Sequence, residues 1–266
     1  MRALLISSAL ALLAEPVAAQ DADTSYIRVG AALASLPQYA GSAETQMRVL
    51  PLISFEDIEG FEFNGLSLSY PLLRAGTGRG PGLWSIKAGP RAGFEFGRDS
   101  EDSPTLNGFE DIGESLLLGG SVRATYGILG VGVDFGQDVI GGHGGFTADI
   151  ALGTYIPPGL IAERVSLQPL IGVGWADGDY SQTTYGVTAA QAEASGLPAY
   201  ALGSGFHRAN ATLLGWYDLS ERWQLSSVLS YREYLGDYRD SPILRAPDGA
   251  TSDVFATLGL SYKFDL

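Results

Sequence analysis

The sequence has no cysteine. Disulfides, thiolate catalysis and cysteine metal sites are therefore excluded, and the composition suits a cell-envelope protein that never depends on oxidation. Histidine is scarce, with His143 and His207 the only two. Positive charge is in short supply: 16 Lys and Arg stand against 30 Asp and Glu, for a net charge of −14. Attraction to DNA or RNA phosphates is thereby excluded, so nucleic acid is not an expected partner. Beyond the N-terminus no apolar stretch is long enough for a membrane-spanning helix. A chain of this kind can occupy a membrane only as a closed barrel, the one other structure that satisfies every backbone group in lipid.

What is abundant is glycine, at 36 residues, and tyrosine, at 13. Helix-favouring runs are few, and the composition fits many strands with tight turns. The length of 266 residues allows one large barrel or two small domains, and no boundary is visible. Residues 1–19 read as a secretory signal. Arg2 supplies the positive start, Leu4 to Ala14 the apolar core, and Val17-Ala18-Ala19 the small-residue cleavage site before Gln20. The remainder, 20–266, is expected to be a single barrel.

Alternation of period two recurs through that remainder, the mark of strands with one face in an apolar medium and one in a polar medium. In Leu83 to Phe96, Trp84, Ile86, Ala88, Pro90, Ala92, Phe94 and Phe96 oppose Ser85, Lys87, Gly89, Arg91, Gly93 and Glu95. Pro90 cannot donate to a ladder, so a local irregularity is expected there. Ile112 to Tyr126 turns at Gly127 into Leu129 to Phe135, which makes the two antiparallel neighbours. Further segments are Thr24 to Leu36, Arg48 to Asp57, Phe61 to Leu72, Phe146 to Leu152, Val165 to Trp175, Ala209 to Tyr217, Trp223 to Tyr231 and Ser252 to Phe264. Arg74 to Gly82 is glycine-rich and reads as a turn.

These are eleven segments. A single-chain bacterial barrel has an even number, so one strand is expected to be hidden between Pro37 and Leu72. The fold class is all-β, an antiparallel transmembrane barrel of about twelve strands, with ten as the alternative. Short turns alternate with long loops (Arg98 to Asp111, Asp177 to Gly205, Gly236 to Thr251), the asymmetry of barrels with periplasmic turns and outer loops. One short helix is expected, Ala189 to Ser195 in a long outer loop, with Thr188 as N-cap and Gln191 completing its capping box. Trp84, Phe94, Phe96, Tyr126, Trp175, Tyr217, Trp223, Tyr231, Tyr262 and Phe264 sit near strand ends. In a membrane they form interfacial girdles; in a soluble barrel they are core.

The last strand, Thr257-Leu-Gly-Leu-Ser-Tyr-Lys-Phe264, resembles the closing signature of bacterial outer-membrane barrels, although Asp265 and Leu266 follow its final aromatic. Seven other stretches, in order along nearly the whole mature chain, resemble the MipA/OmpV outer-membrane family. They are Arg48-Val-Leu-Pro-Leu52, Ala88-Gly-Pro-Arg91 with Gly97-Arg-Asp99, Gly141-Gly-His-Gly-Gly145, Trp175-Ala-Asp177 with Asp179-Tyr180, Tyr185-Gly-Val-Thr188, Ala194-Ser-Gly-Leu-Pro-Ala-Tyr200 and Asp240-Ser-Pro-Ile243. The resemblance implies the outer membrane of a Gram-negative bacterium, with its lipid, its lipopolysaccharide and the barrel-assembly machinery as surroundings. It also implies a scaffold role linking a lytic transglycosylase to a peptidoglycan synthase. It carries over no binding residues.

Candidate chemistry is thin. Ser204 lies near His207 and Asp138 near His143, but neither forms a nucleophile motif, and the bland reading of His143 is a loop residue among glycines with positive φ. The acidic loop Asp99, Glu101, Asp102, Glu110 and Asp111 lacks the spacing of a calcium loop and reads as a solvated charged loop. No catalytic, cofactor-binding or metal-binding residues are assigned. The candidate lumen lining is the polar phase of the strands: Arg28, Lys87, Arg91, Arg123, Arg208, Arg232 and Lys263 against Glu95, Asp134 and Asp149, seven positive against three negative, or +4. Two interiors fit it: a narrow anion-favouring channel, since Arg and Lys rings select anions, or a plugged one in which the charges pair, since small barrels are filled by side chains. Inward glycines (Gly89, Gly93, Gly130, Gly132, Gly153) leave room and speak for a water-filled space. The leading function is the scaffold; the alternatives are a solute channel with a basic lumen and a rim-site lipid hydrolase.

Overall fold

A computed structural model describes residues 25–78 and 80–266. The secretory signal assigned to residues 1–19 lies outside the described residues.

The strands are β1 (Tyr26–Pro37), β2 (Thr45–Ile58), β3 (Phe61–Asn64), β4 (Ser67–Ser69), β5 (Leu73–Gly76), β6 (Gly80–Glu95), β7 (Ser115–Gly127), β8 (Leu129–Asp138), β9 (Phe146–Thr154), β10 (Val165–Ala176), β11 (Gly205–Asp218), β12 (Trp223–Tyr234) and β13 (Ser252–Asp265). Each pairs antiparallel with its sequence neighbours except where β4 and β5 lie in line against β6. β13 returns to β1, with Tyr26 opposite Asp265 and Ser35 opposite Ala256. Counting β4 and β5 as one interrupted stave gives a closed barrel of twelve.

The strand hidden from the sequence is inside Phe61 to Leu72. That run turns back at Gly65, whose φ of 87° suits glycine, and so supplies both β3 and the first half of the next stave. Arg74 to Gly82, read as a turn, is largely strand: Leu73–Gly76 and Gly80–Glu95 pair across it. The irregularity expected at Pro90 falls on its neighbour. Pro90 pairs with Gly120 of β7 in register. On its other flank, where a proline offers no N–H, its carbonyl accepts from Tyr70 at 3.0 Å and the stave breaks between β4 and β5.

The outward face is apolar along its length. Val29, Leu33, Val122, Val131, Ile150, Leu152, Ile171, Leu213, Leu229 and Leu258 are all exposed. Aromatics band it at both ends. Trp84 lies opposite Tyr126 and Trp223 opposite Tyr262 at the end holding Tyr26 and Leu266; at the other, Phe146 stacks with Phe135 and meets Trp175 edge to face. An apolar belt between aromatic girdles is the surface of a transmembrane barrel. Phe96 leaves the predicted girdle. β6 stops at Glu95, alternation stops with it, and Phe96 packs inward toward Ala34, Leu36 and Phe255.

All long connections sit at the end opposite the termini. The single helix expected there is one of three. The box is as read: Gln191 N–H donates to Thr188 Oγ1 at 3.2 Å and Thr188 N–H to Gln191 Oε1 at 2.8 Å, so Ala189–Ser195 is α2. It is preceded by α1 (Gly178–Tyr185), capped by Asp177, and followed by α3 (Pro242–Arg245), capped by Ser241. α1 was hidden by its composition, since Gly, Tyr and Thr score poorly as helix formers and tertiary contacts override them; α3 is a single turn of four residues, too short to show a helical period.

Candidate functional site

All ten residues assigned to the lumen face inward, and the structure sorts them into two tiers. Arg91, Glu95, Asp134, Asp149, Arg208 and Arg232 are buried. Arg28, Lys87, Arg123 and Lys263, nearer the termini, are partly open to solvent.

In the buried tier each arginine is met by a carboxylate. Arg208 Nη2 donates to Asp149 Oδ1 at 2.6 Å. Arg232 Nε donates to Asp253 Oδ1 at 2.7 Å, with Tyr234 Oη on the other carboxylate oxygen at 3.1 Å. Arg123 forks onto both oxygens of Asp134 at 2.7 and 3.0 Å, and Arg91 Nε stands 3.5 Å from the same carboxylate. In the lower tier Lys87 pairs with Glu62 at 2.6 Å and Glu56 at 3.2 Å, and Lys263 with Asp265 at 3.2 Å.

The positive excess of the lumen disappears. The registers also turn Arg48, Arg74, Glu56, Glu62, Asp138, Asp218, Asp253 and Asp265 inward. Among the described residues nine cations face nine carboxylates. These were missed because most lie at strand ends, where the phase is hardest to read.

The inward glycines do not leave a water-filled space where the staves carry long side chains. Asp149 is on β9 and Arg208 on β11, with β10 between them; a Cβ at Gly174 would lie 2.8 Å from both side chains. Gly93 lies under the Arg91 guanidinium in the same way, at 2.8 Å. Gly174 thus lets the Asp149–Arg208 pair cross β10.

The far end is closed by a tyrosine plug. α1 folds into the mouth and sets Tyr180 and Tyr185 against Tyr234 and Tyr238, with ring centroids 5.5 Å apart for Tyr185–Tyr234 and 5.7 Å for Tyr185–Tyr238. Ser241 Oγ donates to the Tyr185 carbonyl at 2.6 Å. The Gly141–Gly145 loop makes this possible. Gly141 and Gly144 have φ of 88° and 71°, and a Cβ on Gly145 would lie 2.3 Å from the Tyr180 nitrogen.

His143 is more than a loop residue. It is buried, its Nδ1 accepts the Gly145 N–H at 3.0 Å, and Nε2 lies 3.6 Å from Glu95 Oε2. The acceptor at Nδ1 places the ring proton on Nε2, toward the carboxylate. Asp138 does not reach it; that carboxylate takes the Gly144 and Ile140 N–H groups and the Ser115 hydroxyl. His207 is aimed inward by a bulge, since β10 and β11 shift register at Gly174/Trp175 and leave it between Phe206 and Arg208. Its ring lies between Tyr180 and Tyr238, while Ser204 is exposed.

Three loops are latched over the plug by Asp248. Its carboxylate accepts from Ser103 and Thr105, and its carbonyl accepts the Ala43 N–H at 2.9 Å. Burial alone pushes this carboxyl up, but the two hydroxyls hold it below the ordinary aspartate value. Burial beside Asp248 pushes the Tyr39 hydroxyl up to about 12, and burial lowers Arg98, which donates to the Thr184 carbonyl at 2.8 Å, to about 10. A depressed carboxyl stabilises above its unfolded pKa and loses that contribution as pH falls through the folded one. Protection of amides in residues 99–109 and 236–251, relative to their intrinsic exchange at each pH, should therefore fall below about pH 4 while the strands stay protected. Asp248→Ala should show the faster exchange already at pH 7.

In the acidic loop, Asp111 accepts the Ser100 N–H at 2.7 Å and Asp102 the Asp99 N–H at 3.3 Å. Among the described residues no group of three or more His, Asp or Glu side chains is placed to hold a metal.

No curated protein matches the sequence. Among solved structures, the chain is similar to an outer membrane channel from Pseudomonas putida F1, with 12% identity over 93% of this chain and 100% of that one, TM-score 0.41. It is also similar to a mutant of the monoaromatic hydrocarbon channel TodX, with 12% identity over 100% and 96%, TM-score 0.42. A third is OprB of Pseudomonas putida, with 9% identity over 91% and 94%, TM-score 0.41. Residues 29–264 match the family model of the MltA-interacting protein MipA, nearly the full length of the barrel. This chain belongs to the MltA-interacting protein MipA family.

Proposed function

We propose that this protein is a non-enzymatic scaffold of the outer membrane, with its turns in the periplasm, where it binds a murein transglycosylase and a peptidoglycan synthase. The observation that carries the reading is the closed bore: a tyrosine plug and latched loops seal the outer end, while the short-turn end is open and rich in charge. A barrel sealed toward the outside has its accessible chemistry on the periplasmic side. The connection 155–164 offers a docking point there. Leu160 and Ile161, 68% and 61% exposed, form its tip, joined to the Gly127–Ile128 turn by Tyr155 N–H on the Ile128 carbonyl at 2.9 Å. Exposed apolar tips of this kind serve partner contacts.

Capture of a lytic transglycosylase by the detergent-extracted full chain tests the reading. Leu160→Asp with Ile161→Asp should weaken capture by about tenfold, two lost apolar anchors of interface size, with unchanged barrel mobility on gels. Undiminished capture would show that another surface is used, and no capture by the native chain would end the scaffold reading. Loss of lipid turnover in His143→Ala would contradict the non-enzymatic reading.

A narrow solute channel is the second reading. It is favoured by Arg28, whose Nε and Nη1 are buried with no hydrogen-bond partner among the described residues, directly across the ladder from Lys263. Single-channel recording separates the two: the sealed bore should give no discrete steps, and anion-selective steps would establish the channel.

A further inference from the structure

The inward charges balance over the bore as a whole, but not where β1 meets β13. There Arg28 stands directly opposite Lys263 in the ladder, and like charges directly opposite each other are destabilising. Both lean on one ring. The Arg28 guanidinium carbon and the Lys263 ammonium each lie 5.3 Å from the centre of the Tyr26 ring. A ring face attracts a cation but does not neutralise it. Two cations are thus gathered on one tyrosine, on the bore side of the wall.

The carboxylates nearest this pair along the ladders are engaged by other cations. Glu56 on β2 and Asp265 on β13 both lie opposite Tyr26, and so stand diagonal to Arg28, a spacing that long side chains span. Glu56 is held by Lys87 at 3.2 Å, and Lys87 also holds Glu62 at 2.6 Å. Asp265 takes Lys263 at 3.2 Å and Arg222 at 4.0 Å. Arg28 has no carboxylate partner among the described residues, and its buried Nε and Nη1 meet no acceptor there. Buried donors of a charged group are costly to leave unmatched. Two hydroxyls flank the pair on the bore side: Ser54, opposite Arg28 on β2, and Ser261, two positions from Lys263 on β13. A hydroxyl donates as readily as it accepts. This part of the wall therefore presents a guanidinium, an ammonium and two hydroxyls, with Asp265 as the carboxylate that shares the ammonium.

We infer that Arg28 and Lys263 form a binding site for a small soluble oxyanion of the phosphate class, entering from the open short-turn mouth. Arginine donors match phosphate oxygens in geometry. An anion that spreads two charges over several oxygens engages both cations at once, which a halide or a single carboxylate does less well. Arg28 is partly open to solvent as a residue, so the entering anion meets the guanidinium, and rotation of its last torsions turns the buried donors onto it. The site fills and empties from one end, so it requires neither a conducting bore nor a docked protein.

The test uses the full chain refolded in a maltoside detergent, which carries no phosphate. Calorimetric titration with inorganic phosphate at constant ionic strength should show one saturable site with a Kd of about 1 mM. Chloride and acetate should bind about tenfold more weakly. Arg28→Gln and Lys263→Gln should each weaken phosphate binding by about tenfold. Arg28→Lys, which keeps the charge and loses the fork, should weaken it by about threefold. Arg245→Gln, the same charge change on an exposed loop at the opposite end, should leave it unchanged. Heat-modifiable mobility on gels shows which variants have folded, and Arg28→Lys and Lys263→Gln decide the matter if Arg28→Gln does not refold. The site is refuted if phosphate does not saturate the native chain. It is equally refuted by an equal response to chloride, which means screening alone, or by native affinity in the Arg28 and Lys263 variants. Competition by added phosphatidylglycerol with no binding of inorganic phosphate also overturns it, since the ligand is then a lipid headgroup.

Discussion

Asp149→Ala is expected to destabilise the barrel by about 3–5 kcal/mol, the cost of leaving a buried arginine without its counter-ion. The Asp149–Arg208 pair is among the most buried of the interior, with side-chain exposures of 6% and 4%. It reaches across β10 at Gly174, so it couples three staves. Removing the carboxylate strands the guanidinium under α1, next to His207 and the tyrosine plug. Urea unfolding in lipid, followed by tryptophan fluorescence, measures the loss. Adding Arg208→Met should restore most of it, since replacing both charges by apolar groups of similar volume is often neutral. A single variant within 1 kcal/mol of native would mean that water or another group compensates the arginine.

Gly30→Ala should do comparable damage at the place where the barrel closes. Gly30 pairs with Ser261 in the β1–β13 ladder, and a Cβ there would lie 2.0 Å from the Leu260 carbonyl oxygen and 2.6 Å from the Ser261 Cα. Both are backbone atoms of the partner strand, so no rotamer change relieves the clash, and a cost of about 3 kcal/mol or more follows. Gly30→Val should prevent closure altogether, seen as loss of the compact, heat-modifiable gel species. Ala31→Val, one residue on and facing lipid, should change stability by about 0.5 kcal/mol or less. Equal behaviour of the Gly30 and Ala31 variants would mean that the seam yields more easily than its geometry implies.

Much of this was open to reading in one dimension because lipid and lumen impose opposite demands on successive residues. Trp84 to Glu95, Leu129 to Asp138 and Val254 to Phe264 alternate so strictly that their faces needed no coordinates, and all ten lumen residues point where the alternation put them. Thr188 and Gln191 announced α2 because a capping box is local chemistry. Phe61 to Leu72 hid a strand because the two halves of its hairpin are only four and three residues long and the turn at Gly65 has one glycine as its signal. The charge balance was misjudged for a related reason: Glu56, Glu62, Asp253 and Asp265 sit near strand ends, where a single register step decides which side they face.

The amino-acid order by itself determined the strand repeat, the apolar exterior and the family, since each rests on neighbours one or two positions apart. Only the three-dimensional fold decided that tyrosines fill the outer mouth, that the inward charges of the described residues balance, and that Gly174 lets Arg208 reach Asp149 across β10. Those depend on groups such as Asp149 with Arg208, or Tyr185 with Tyr234, which are dozens of residues apart and meet only once the sheet has curled shut.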